Sequence, residues 1–164
     1  MKTSEQGLKL IMHYEGERLQ PYLDQTGVCT VGYGHALAYP NGEWIRNLAD
    51  VPAKFKNLDE QGVKDLLASD LISRESDLNS LPLTFEQYQF DSLMDFVFNE
   101  GFGALENSTL LKSMKNEDST PIEDCFMMWN KIEVNGKHIA DSWQTARRKT
   151  EAHLYLTGEL KFYA

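Results

Sequence analysis

Three side chains near the start of the chain are of types, and at spacings, that can donate a proton and hold a water: Glu15, Asp24 and Thr30. Leu8, Ile11 and Met12 follow helical spacing, and Glu15 falls on their face one turn later. A carboxylate in the last turn of a helix meets the negative end of the helix dipole. The apolar residues beside it also strip its water. Both effects favour the protonated form, which a general acid needs. Asp24 and Thr30 lie on a hairpin pattern. If its loop is the three residues 25–27, Asp24 stands opposite Val28 and Thr30 shares that face, so that a carboxylate and a hydroxyl can hold one water between them. A two-residue loop would send Thr30 to the other face. Taken singly, Glu15 reads as a solvated helix-end glutamate, Asp24 as a turn-opening aspartate and Thr30 as a β-former. The chemistry lies in the combination.

The elements that must position these groups are legible from local signals. Thr3 with Gln6 reads as a capping box that opens a helix over 3–15, and Gly16 stops it. Residues 22–34 are β-branched and aromatic with glycines at 27, 32 and 34, a hairpin around Gln25-Thr26-Gly27. Asn41-Gly42 is a second turn signal that can end a third short strand. Beyond Pro52 the pattern is helical. Asp59 caps a long helix with the stripe Val63, Leu66, Leu67 and Leu71, and Pro82 breaks it. Thr84 with Gln87 opens another helix, with Phe90, Leu93, Met94 and Val97 on one face and Phe85, Tyr88, Phe96 and Phe98 on others, a helix buried nearly all round. After the Gly101-Phe102-Gly103 turn comes a short helix through Leu110 and Leu111. Thr120-Pro121-Ile122-Glu123 starts the next one, with proline at the first helical position. A last helix spans about 142–157, closed by Gly158. The fold class is α+β: one domain, with a small β-containing lobe over about 14–57 and a helical lobe over about 58–164 on which the first helix packs.

Composition narrows the function. The 164 residues carry 25 acidic and 16 basic side chains, a net charge of −9, which argues against binding nucleic acid through its phosphates. Six basic and six acidic residues balance over 1–58, so the whole excess lies in 59–164 and reads as a solubilising shell. A hydrophobic content of 41% excludes a disordered tail or a collagen-like repeat. Cys29 and Cys125 form no CxxC or Cys/His cluster, so no zinc site follows and free thiols are the expected state. The apolar run Leu10-Ile11-Met12 is too short for a signal peptide or a membrane span, so the sequence reads as a soluble chain made in the cytoplasm.

The spacing Glu15, Asp24, Thr30, followed by Val31-Gly32-Tyr33-Gly34-His35, resembles the phage-type lysozymes of glycoside hydrolase family 24. Tyr14-Glu15-Gly16, Tyr22-Leu23-Asp24, Gly27 and Thr30 through His35 match that family's signature. The resemblance continues in Phe98-Asn99-Glu100-Gly101, in Asn107-Ser108-Thr109-Leu110-Leu111, in Trp129 and in Arg147-Arg148-Lys149-Thr150-Glu151. It is weakest between 36 and 57, and closer to the endolysins of lambdoid phages than to the T-even phage lysozyme.

The resemblance implies a lysozyme-like fold with its cleft between the two lobes. It also implies hydrolysis, with inversion, of the β-1,4 bond from N-acetylmuramic acid to N-acetylglucosamine in peptidoglycan. Glu15 would protonate the leaving oxygen, Asp24 would orient the attacking water and stabilise charge on the sugar, and Thr30 would help hold that water. Gly34, Phe98, Asn99 and Ser108 would contact substrate. His35 would be structural, paired with an acidic residue of the helical lobe. No metal or cofactor is implied. The expected partners are glycan strands alone, with no stable membrane association, for a monomer that stays in the host cytoplasm until a holin releases it. Cys29 replaces a large aromatic of the family, and Asp141-Ser142-Trp143 replaces a Gly-Leu pair. The readings weighed against a muramidase are a lytic transglycosylase, which needs one acid and no water nucleophile, and a non-catalytic wall-binding module. For Arg147 the local pattern predicts an i,i+4 ion pair with Glu151.

Overall fold

The computed structural model describes all 164 residues, Met1–Ala164. The chain forms two compact units, one built from Met12–Ile72 and the other from Met1–Ile11 with Ser73–Ala164. The smaller unit takes in the first half of a long helix and so runs beyond the 14–57 span expected from the β pattern. The reason is packing, because that half-helix supplies apolar side chains to the unit's own core.

In the smaller unit, the end of α1 (Glu5–Glu15) leads into a three-stranded antiparallel sheet in the order β1 (Arg18–Leu23), β2 (Cys29–Gly32), β3 (His35–Ala36). The register pairs Leu23 with Cys29, Tyr22 with Thr30 and Thr30 with Ala36. The loop is therefore the three residues 25–27. One face of the sheet is core: Cys29, Val31, Leu37, Ile45 and Val51 are buried, with Phe55, Leu58 and Leu66 packed against them. Leu66 belongs to α2 (Glu60–Asn79), whose start is capped by Asp59 accepting from the Gly62 N–H at 2.8 Å.

The larger unit is helical: α3 (Gln87–Glu100), α4 (Phe102–Glu106), α5 (Thr109–Met114), α6 (Ile122–Met127) and α7 (Ser142–Thr157), with a two-stranded hairpin of β4 (Lys131–Val134) and β5 (Lys137–Ala140). From Phe90 to Val97 every residue of α3 is buried, as its all-round apolar pattern predicts. Phe96 meets Phe126 and Trp129 edge to face at 5.9 and 5.4 Å. Gly7 of α1 is a packing requirement, because a Cβ there would fall 2.7 Å from Asp91 Oδ1.

Three caps differ from the sequence expectation. Ser4, not Thr3, opens α1, because Thr3 spends its hydroxyl on Glu75. The box of α3 is Glu86 with Gln89, two residues on from Thr84 and Gln87. Pro121 is the N-cap of α6, one position before the helix. The β4–β5 hairpin lies outside the sequence reading altogether, although Asn135-Gly136 between alternating residues is a turn signal and both residues adopt positive φ. Cys29 and Cys125 are free and buried. No helix is long and apolar enough to cross a membrane.

Candidate active site

Glu15 is the last residue of α1. The helix stops because Gly16 turns to φ 71° while its N–H still reaches the Met12 carbonyl. The turn from β2 to β3 passes over this helix end. Gly34, at φ 81°, lies so close that a Cβ on it would sit 3.5 Å from Glu15 Oε2. A side chain at 34 would be strained at this φ, and its Cβ would rest in ordinary contact with the Glu15 carboxyl.

Asp24 is fixed by its own loop. Its Oδ1 accepts from the Thr26 N–H at 2.8 Å, the Thr26 hydroxyl at 2.8 Å and the Val28 N–H at 2.9 Å. Its backbone N–H donates to the Val28 carbonyl at 2.9 Å. These donors, the Val28 N–H first and the Thr26 hydroxyl next, hold the carboxyl below the usual carboxylate range, helped by the charge of Arg46. Asp24 is therefore an anion at neutral pH. All three hydrogen bonds enter through one oxygen. Thr30, paired with Tyr22, is on the same face of the sheet as Asp24. It is 4% exposed, and its hydroxyl donates to the Val28 carbonyl at 3.2 Å.

The surrounding residues brace this frame. His35 Nδ1 lies 2.9 Å from both oxygens of Asp70 on α2, and its ring lies 6.0 Å from that of Phe55. Tyr33 donates its hydroxyl to Glu17 at 2.9 Å; burial first, then that bond, push the phenol up to about 12. Arg46 donates to the Thr26 carbonyl at 2.8 Å and so clamps the Asp24 loop from a neighbouring segment. Neither Asp70 nor Arg46 carries a local signal, since each acts across a gap in sequence.

In the larger unit the remaining expected residues take up their own contacts. Ser108 is the N-cap of α5, accepting from the Leu111 N–H at 3.0 Å and donating to the Leu105 carbonyl at 2.7 Å. At 3% exposure its hydroxyl is engaged by the fold. Phe98 lies under the Arg74 guanidinium, 4.8 Å from its centroid, and Asn99 Oδ1 accepts from Arg148 at 2.8 Å. The expected Arg147–Glu151 pair is loose, at 3.9 Å. Arg147 instead forks onto Asp95 of α3 with two bonds of 2.8 Å, while Arg148 comes within 2.9 Å of Glu151. A facing helix supplies a better acceptor than the next turn, which helical spacing alone cannot reveal.

The chain matches the phage lysozyme family model over residues 12–151 and belongs to that family. It is a glycoside hydrolase of the lysozyme class, acting on peptidoglycan. It is 35% identical over 158 residues to the endolysin of Acyrthosiphon pisum secondary endosymbiont phage 1, covering 94% of this chain and 98% of that one. To the endolysin of Salmonella phage P22 it is 30% identical over 160 residues, covering 96% and 99%. Among solved structures, the muramidase domain of SpmX from Asticaccaulis excentricus superposes with a TM-score of 0.77 at 27% identity, over 95% of this chain and 98% of that domain. A mutant of P22 lysozyme gives 0.75 at 26% identity, over 96% and 99%.

Proposed function

We propose that the chain is an inverting muramidase that hydrolyses the β-1,4 bond between N-acetylmuramic acid and N-acetylglucosamine, with Glu15 as general acid and Asp24 and Thr30 handling the water. The observation that carries this reading is the register of the hairpin, which sets Asp24 and Thr30 on one face. Glu15 gives its proton to the glycosidic oxygen as the bond to the anomeric carbon breaks. A water held by Asp24 and Thr30 adds to that carbon from the opposite side, and its proton passes to the carboxylate. An aspartate held ionised is a weak base but a strong electrostatic partner, so its larger contribution is to the positive charge that develops on the sugar ring. Inversion needs about 6.5–9.5 Å between the two carboxyls to admit the water.

Gly34, Phe98, Asn99 and Ser108 are further glycan contacts carried over from the family pattern. The chain works as a monomer without metal, cofactor, nucleic acid or a stable hold on a membrane, and reaches the wall from the host cytoplasm when a holin opens the way. The test is mass spectrometry of muropeptides released from purified Gram-negative peptidoglycan, with Glu15→Gln as the control. The expected products carry hydrated reducing-end muramic acid, fall by about 10²–10⁴-fold in the variant, and leave the melting temperature of the variant where it was. Anhydro-muramic products would reassign the chain as a transglycosylase. No products at all would make it a wall-binding module. Proton NMR of the fresh anomer then reads inversion directly.

A further inference from the structure

Residues 37–46 lie where the resemblance to the family is weakest, and they form a short arm that continues the sheet of the smaller unit. Ala38 and Trp44 face each other as an antiparallel bridge, with the Ile45 N–H bonded to the Leu37 carbonyl at 2.9 Å and the Tyr39 N–H to the Glu43 carbonyl at 2.8 Å. That pattern makes 38 and 44 a non-hydrogen-bonded pair whose side chains share a face. The arm joins β2 directly, since the Cys29 N–H donates to the Ile45 carbonyl at 2.7 Å. Leu37 and Ile45 point into the core with Cys29 and Val31. Alternation therefore turns Ala36, Ala38 and Trp44 to the opposite face, which is the face of Thr30 and Asp24.

A second contact confirms the orientation of the arm. Arg46, two residues beyond Trp44 and so on its face, reaches the Thr26 carbonyl inside the Asp24 loop. From Asp24 to Trp44 is two to three strand spacings, on the order of 10–14 Å. The floor between Thr30 and Trp44 is made of Ala36 and Ala38, which leaves it low. The arm is held in place: the Tyr39 hydroxyl donates to Asp50 at 3.0 Å, and Asn41 accepts from the Glu43 N–H at 3.0 Å. Trp44 itself is 51% exposed. A single exposed tryptophan is ordinary; one at the end of a low floor that begins at the catalytic pair is not.

We propose that the indole of Trp44 is a stacking platform for one N-acetylhexosamine ring of the glycan strand, a subsite on the 37–46 arm that extends the face carrying Asp24 and Thr30. The inference rests on the muramidase reading and deepens it. An indole offers a large, stiff apolar face with little rotamer entropy to lose, and a pyranose ring presents a matching layer of C–H groups.

The test pairs kinetics with spectroscopy. On long glycan strands, Trp44→Ala raises KM by about 5- to 10-fold, with the loss in KM rather than kcat, and Trp44→Phe restores most of it. In the Glu15→Gln background, titration with the N-acetylglucosamine hexamer shifts or quenches tryptophan emission, and the added change Trp44→Phe removes that response while Trp129 and Trp143 remain. A KM within twofold of the parent in Trp44→Ala, or an emission response that survives Trp44→Phe, overturns the subsite. Muropeptide release by the unaltered chain separates the two readings: release with an unmoved KM sinks the subsite alone, and no release sinks both.

Discussion

Asp24 opens a hairpin loop with three donors on one oxygen, whereas Glu151 lies in the interface of α3 and α7 with no exposed surface. The first is held ionised. The second is pushed well above the usual carboxylate range by burial, against the pull of Arg148 and with the charge of Asp95 adding to the rise. Burial pushes Asp95 up as well, but the charge and paired hydrogen bonds of Arg147 outweigh it and keep Asp95 an anion. Arg147 pairs with Asp95, and Arg148 with Glu100 and Glu151, so each buried guanidinium faces at least one carboxyl group. The contrast shows how one functional group is given two kinds of work. Near the surface, donors shape a carboxylate for chemistry; in the interior, the same group survives by pairing or by keeping its proton.

The sharpest way to break this contrast is Asp95→Ala. Removing one partner of a buried pair leaves the Arg147 guanidinium uncompensated, and the expected loss of unfolding free energy is about 3–5 kcal/mol in urea titrations, with the specific activity of the folded fraction intact. A loss under about 1 kcal/mol would mean that water already reaches the cluster. In the unaltered chain the stability lent by Asp95 is present above the ordinary carboxylate pKa and declines as pH falls through its lowered folded value.

Asp24→Asn makes the complementary cut, costing about 10²–10³-fold in activity with an unchanged melting temperature. Because Asp24 is depressed, activity in the parent holds as pH falls through the usual carboxylate range and drops only below it. An acid limb at an ordinary carboxylate pKa would show that the loop bonds do not persist in solution. The smallest effect belongs to Glu151→Gln, since an amide reproduces the shape and donor of a protonated carboxyl: less than about 1 kcal/mol at acidic pH. A raised folded pKa lends stability that is complete below the unfolded value and is lost as pH rises toward the folded one. The melting temperature of the parent therefore sags over that range, and that of Glu151→Gln stays flatter. Parallel curves would place the proton elsewhere.

The contrast also explains what could be read before the structure. Glu15 and Gly16 are fixed by signals within a few residues of one another. So are Asp59 as a cap and Gly158 as the left-handed stop of α7, and local physics decides them. The choice between a two- and a three-residue loop after Asp24 is instead made by the pairing of Leu23 with Cys29. Asp95 for Arg147, Asn99 and Glu100 for Arg148 and Asp70 for His35 come from other elements, and spacing along one helix names only the neighbour a turn away. The α3 cap slid from Thr84 to Glu86 because both offered a box, and packing chose between them. The β4–β5 hairpin escaped for the opposite reason: its alternating face of Ile132, Val134 and Ile139 is short and stays exposed, so it joins no core that would advertise it.

The division of the chain also bears on how the enzyme comes into being. The smaller unit is one continuous stretch, Met12–Ile72, and can fold as it leaves the ribosome. The larger unit is stitched from the first eleven residues and the last ninety-two, and its buried arginines arrive on the final helix. Its core has no closed form until α7 has been made. A chain cut short of that helix lacks Arg147, Arg148 and Glu151 and leaves Asp95 without its buried cation.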